Sequence, residues 1–142
     1  MSHRVTCRFI GKADAGTLNG IITIYRAQGW WKPADRPALL KKIIRGSHCF
    51  AVAELDGRLI GIGRAISDGV SDAYIQDVAV LKSERHWGAG SAIMKTLQAR
   101  LKRDGIGWLG LIAQDKSEPF YLKLGFKTLK NAAPMLAKGS NV

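Results

Sequence analysis

Chemistry is easiest to read in the stretch Asp77-Val78-Ala79-Val80-Leu81-Lys82-Ser83-Glu84-Arg85-His86-Trp87-Gly88-Ala89-Gly90-Ser91. An apolar strand ends, a glycine-bearing turn follows, and an amphipathic helix begins. The first turn of a helix has unpaired N–H groups, and its dipole favours negative charge. Gly88 and Gly90 let a phosphate come close to the backbone, and Arg85 adds a cation, so the segment suits a pyrophosphate. The same glycines also suit a plain tight turn, and both readings stand at this point. A nucleotide P-loop is excluded because Gly-x-x-x-x-Gly-Lys-Ser/Thr is missing. A dinucleotide fingerprint fits poorly: the third small residue is absent, and a hairpin rather than repeated βαβ units precedes the site.

A second segment, Glu118-Pro119-Phe120-Tyr121-Leu122-Lys123-Leu124-Gly125-Phe126, puts a tyrosine on a short helix that Gly125 ends. Taken alone, Tyr121 is as well explained as a core aromatic with its hydroxyl at the surface. With both segments in view, the sequence resembles the GNAT superfamily of N-acetyltransferases. That family's pyrophosphate loop, Arg/Gln-x-x-Gly-x-Gly/Ala, is matched by Arg85, Gly88 and Gly90. Its late Tyr-x-x-x-Gly-Phe element is matched by Tyr121, Gly125 and Phe126. The resemblance follows the order of elements through nearly the whole chain, and its specific residues lie within 74–126.

The resemblance implies the acyl-CoA N-acyltransferase fold, acetyl-CoA as acyl donor and an amine as acceptor. It implies that the backbone of Val78, Ala79 and Val80 pairs with the pantetheine arm. The loop of Arg85, His86, Trp87, Gly88, Ala89, Gly90 and Ser91 would then hold the pyrophosphate. Where the family often has Asn, seven residues before the tyrosine, this chain has Gln114, which puts that cofactor contact in question. Tyr121 would protonate the departing thiolate, since a phenol of pKa about 10 can donate to a thiolate whose acid has pKa near 8.5. A strand N–H, that of Val78, would stabilise the developing oxyanion. Asp77, an acidic residue in an apolar strand, is the first side-chain candidate for proton acceptor, and Glu84 the second. Asp77 serves equally well as a structural carboxylate paired with a basic neighbour. Trp87 would pack on the adenine or on the following helix. Trp30 and Trp31 fall where the family places its variable acceptor-site helices.

The elements that must position these residues follow from the pattern. Residues 4–10 alternate as an opening strand. Asp14 is a plausible N-cap for a helix to about Gln28, with Leu18, Ile21, Ile22 and Tyr25 at helical spacing. A second helix fits Ala34 to Arg45 and stops at Gly46. Cys49–Leu55 and Arg58–Ile66 are strand-like and joined by Asp56-Gly57, a two-residue hairpin turn. Further strands fit 73–81 and 108–113, with a helix over 88–103 between them. A short helix at 118–124 comes next, and the stretch from Phe126 is expected to add one or two strands. The order reads as a single α/β domain over 1–142, a mixed, mostly antiparallel twisted sheet flanked by helices.

Composition narrows the partners. The 142 residues suit one domain able to bury a core unaided, and 46% apolar with 23% charged residues is a globular composition. The net charge of +11 favours anionic partners, or merely keeps a solvated surface. A basic nucleic-acid or ribosome-binding module is one alternative, and a non-catalytic coenzyme A sensor another. No aromatic-interleaved basic strand supports the first. The like charge disfavours a polycationic acceptor. Cys7 and Cys49 are isolated and read as free thiols, and His3, His48 and His86 show no ligand spacing, so no metal is expected. The N-terminus lacks the pattern of a signal peptide and no run is long enough to span a membrane, so a cytoplasmic protein is expected, with homodimer formation a further possibility.

Overall fold

The computed structural model describes residues 4–141. The chain forms two compact units, 1–111 and 112–142. The first holds a five-stranded sheet in the order β1-β2-β3-β4-β5. Its strands are β1 (Val5–Phe9), β2 (Cys49–Leu55), β3 (Arg58–Ser67), β4 (Asp72–Val80) and β5 (Trp108–Gly110). The first four are antiparallel to their neighbours, and β5 runs parallel to β4. The mixed sheet and its flanking helices agree with the expected fold class.

Local chemistry accounts for most element ends. Helix α1 (Ala15–Ala27) starts where Asp14 accepts a hydrogen bond from the Thr17 amide at 2.8 Å. Helix α2 (Pro37–Gly46) begins later than the Ala34 expected from periodicity. Pro37 forces Arg36 into extended backbone (φ −124°, ψ 154°), so no helix can run through it. The β2–β3 hairpin turns at Asp56 (φ 52°) and Gly57 (φ 77°), the two positive angles that a two-residue turn of this type requires.

Helices α1 and α2 cover one face of the sheet. There Leu18, Ile21, Ile22, Ile24, Leu40 and Ile44 form a buried cluster with Phe50, Val52, Ile62 and Ala79. Helix α3 (Ala89–Arg103) packs on the other face, burying Ile93, Met94, Leu97 and Leu101. Its approach depends on the absence of side chains in β3. A Cβ on Gly63 would lie 2.6 Å from Ile93 Cγ2, and one on Gly61 would lie 2.9 Å from Ile93 Cδ1. The two glycines form a slot for Ile93, which seats the start of α3 beside the end of β4.

Among its described residues, the second unit contains one helix, α4 (Glu118–Leu122). The strands expected from Phe126 are absent among the described residues, and the strand expected to reach Ala113 ends at Gly110. Among the described residues, no helix is long and apolar enough to cross a membrane.

Candidate active site

The end of β4 is irregular in two ways. The β3–β4 register runs from Arg64↔Gln76 to Ile62↔Ala79, so Asp77 and Val78 stand opposite Gly63 alone. This is a β-bulge, and Asp77 occupies the left-handed region at φ 54°. On the other side, the ladder with β5 covers only Asp72–Tyr74. β5 ends at Gly110, so beyond Tyr74 β4 pairs with β3 but has no β5 ladder on its other edge.

Past Val80 the chain forms a short 3₁₀ helix, Lys82–Trp87, instead of the simple turn expected. Gly88, at φ 78°, then reverses the backbone to start α3. That helix has no side-chain cap, and a Cβ on Gly88 would meet nothing within 4 Å. The amides of its first turn are thus those of Ala89, Gly90 and Ser91, at the positive end of a 15-residue helix. Arg85 is partly committed to holding the turn, with its Nε donating to the Val80 carbonyl at 3.2 Å. The rings of His86 and Trp87 lie 4.7 Å apart, tilted by 41°. Glu84 takes a hydrogen bond from Arg58 at 2.9 Å, which holds its carboxyl below the usual carboxylate range. A carboxylate so paired is a poor proton acceptor.

Asp77 lies at the centre of a network that periodicity did not reveal. Its Oδ2 accepts from the Arg64 Nε at 2.7 Å and from the Tyr25 hydroxyl at 2.8 Å. Arg64 also donates to the Ser47 hydroxyl at 3.4 Å. Burial, and then the Asp77 charge, push the Tyr25 phenol far up, so it stays protonated. The Tyr25 ring packs edge-on to Trp30 at 5.6 Å and against Trp31 at 6.3 Å. Both donors reach Oδ2, through which the Asp77 carboxylate is tied to α1 and β3. Arg64 had a signal of its own, as a charged residue in the middle of the otherwise apolar run of β3, and Tyr25 is the polar-tipped member of the apolar stripe of α1.

Gln114 and Tyr121 belong to the second unit. There the Tyr-x-x-x-Gly-Phe element proves to be a helix stop. The Phe126 amide donates to the Tyr121 carbonyl at 3.2 Å and the Gly125 amide to that of Leu122 at 3.2 Å, with Gly125 at φ 95°. This is a Schellman motif, and its usual apolar contact is the Tyr121–Phe126 ring pair at 5.9 Å. The motif fixes the start of the Tyr121 side chain, and burial raises its phenol pKa. Both cysteines are free thiols whose pKa burial raises, so neither is a ready nucleophile for covalent catalysis. Among the described residues, no group of three or more His, Cys, Asp or Glu could hold a metal ion.

Comparison with known proteins agrees with this architecture. The profile of the acetyltransferase (GNAT) domain matches residues 16–139. Serotonin N-acetyltransferase 2, chloroplastic, from Oryza sativa subsp. japonica is 39% identical over 70 residues, 49% of this chain and 35% of that protein. The match thus spans about a third of the length of this relative and of the histone acetyltransferase TAP1 of Glycine max. A GNAT-family acetyltransferase structure from Streptococcus pneumoniae superposes with a TM-score of 0.75 at 22% identity, covering 99% of this chain and 100% of that one. Glucosamine-6-phosphate N-acetyltransferase from Arabidopsis thaliana gives 0.78 at 16% identity, covering 96% and 99%. These two likenesses establish the fold, and the profile match across both units establishes the family. This chain belongs to the GNAT family of acetyltransferases.

Proposed function

We propose that the protein transfers an acetyl group from acetyl-CoA to a primary amine of a small molecule or protein. The junction at the end of β4 supports this most: a bulge at Asp77–Val78, a strand that extends beyond its short ladder with β5, and an uncapped helix start at Gly88. These features suit acetyl-CoA, because the amides of α3 can hold a pyrophosphate and the freed backbone of β4 can hold an amide-bearing arm. When bound, the donor supplies an activated thioester carbonyl.

Each residue then has a task. The backbone from Arg85 and His86 through Trp87, Gly88, Ala89, Gly90 and Ser91 binds the pyrophosphate. Val78, Ala79 and Val80 offer their strand edge to the pantetheine arm, and Gln114 is assigned a further contact with the cofactor. The Val78 amide stabilises negative charge developing on the carbonyl oxygen. Tyr121, kept neutral by burial, gives its proton to the leaving thiolate. Asp77 acts as a positioning residue, because its carboxylate is engaged by Arg64 and Tyr25, and solvent takes the proton of the amine.

In this reading 1–142 works as one domain, since the family match crosses both units. A cytoplasmic location and a homodimer are parts of the same proposal, to be tested by cell fractionation and light scattering. Release of free thiol from acetyl-CoA, followed across a panel of small amines and lysine peptides, tests the activity. Amine-dependent release is expected. Release that is absent, or equally fast without amine, overturns the proposal.

A further inference from the structure

The loop between α1 and α2 borders an open cleft of about 440 Å³ whose charged lining is Arg26, Lys32 and Arg36 with the single carboxylate Asp35. Asp35 is already committed, as its Oδ2 accepts from the Lys32 backbone amide at 2.7 Å. Arg36 is held in place, with Nη1 donating to the carbonyls of Pro33 at 3.2 Å and Asp35 at 3.3 Å. Among the described residues, none of the three cations is in an ion pair. Three cations and one carboxylate leave this concave surface with a net positive charge, which an anion between the cations would offset.

The aromatic wall of the cleft joins it to the bulge. Trp31 lines the cleft and packs against Tyr25, whose hydroxyl is bonded to Asp77. One layer of aromatic rings therefore separates a cationic cleft from the Asp77–Val78 bulge, where the proposed chemistry takes place. We propose that the cleft holds an anionic group of the acceptor, so that the substrate is an amine that also carries a carboxylate or a phosphate. This deepens the acetyltransferase reading and rests on it. A guanidinium fixed by two backbone carbonyls is well suited to either anion, because its remaining N–H groups are preorganised for a charge-assisted pair.

Two readouts test the inference. In the first, inorganic phosphate or sodium acetate is titrated at constant ionic strength into the protein saturated with coenzyme A, which keeps the α3 amides occupied. Trp31 serves as the fluorescent reporter, with Trp31→Phe as its control. A saturable change is expected for at least one of the two anions, lost in Lys32→Gln and in the double variant Lys32→Gln/Arg36→Gln. In the second, turnover is compared within matched pairs: phosphoethanolamine with ethanolamine, and β-alanine with its amide. The anionic member of one pair is expected to have the higher kcat/KM by about tenfold, an advantage that one charge-assisted pair can supply and that the double variant loses.

The preferred pair tells phosphate from carboxylate. If none of the four amines turns over, the titration alone decides. Absence of a saturable signal, a signal unchanged in both variants, or equal or better turnover of the neutral amines overturns the inference. Thermal stabilisation by acetyl-CoA is read separately, so an anion site without donor binding would count against the acetyltransferase reading and not against the cleft.

Discussion

The Tyr25 hydroxyl donates to Asp77 Oδ2 at 2.8 Å, joining helix α1 to the bulge in β4 across 52 residues of sequence. Arg64, on the adjacent strand, binds the same oxygen at 2.7 Å. The two donors hold a residue whose backbone is in an unfavourable region, φ 54°, and so stabilise the irregularity on which the proposed site depends.

Tyr25→Phe removes one donor to a half-buried carboxylate and is expected to cost about 2 kcal/mol, a Tm fall of roughly 4–8 °C. Asp77→Asn is expected to cost more, since it leaves the Arg64 guanidinium half-buried without its counter-charge. If Asp77 positions rather than accepts the proton, Asp77→Asn lowers kcat but keeps the acidic limb of the pH–rate profile. Disappearance of that limb would make Asp77 the base.

Gly63→Ala is expected to destabilise the protein by about 1–3 kcal/mol, because the new methyl enters the space of Ile93. Ile93→Ala alone also destabilises, through a cavity. The double variant should then lose less than the sum of the two, as for groups in direct contact. Additive losses in chemical denaturation would mean that Gly63 does not make room for α3.

Tyr121→Phe keeps the ring contact with Phe126 and removes only the hydroxyl. Turnover is expected to fall by about 10²–10⁴, the range of general acid catalysis, with little change in acetyl-CoA affinity. Unchanged turnover would remove Tyr121 from the chemistry. A wild-type protein that binds acetyl-CoA and transfers nothing would instead be the non-catalytic sensor.

Asp104 gives the pH dependence of stability. A hydrogen bond from His48 Nε2 at 2.8 Å, joined by Arg100 Nε at 2.8 Å, holds its carboxyl below the usual range. A carboxyl whose folded pKa is lowered stabilises fully above its unfolded pKa of about 3.9, and the contribution is lost as pH falls through the folded value. The Tm difference between wild type and Asp104→Asn should therefore be largest near neutral pH and shrink in acid. A difference independent of pH contradicts this.

Legibility in the sequence followed the range of the interactions. Asp14 as an N-cap, Asp56-Gly57 as a turn and the helix start after Gly88 are set by neighbours a few residues apart, and all three are present. The start of α2 was displaced by Pro37, whose restriction on Arg36 outweighs the apolar stripe. The bulge was hidden because it is a mismatch of two strands, visible only once β3 and β4 are paired. Tyr25, Arg64 and Asp77 meet only through the fold. Beyond Phe126, one or two strands were expected, yet that stretch forms none among the described residues.

The central claim is that the junction of β4 and α3 binds acetyl-CoA. The direct test is the Tm of the protein alone and with saturating acetyl-CoA, with ATP and NAD as controls. A ligand at about 100 times its Kd adds roughly 2.7 kcal/mol, so a rise of several degrees with acetyl-CoA alone is expected. No rise, or an equal rise with all three polyanions, would contradict the account and leave only a basic surface.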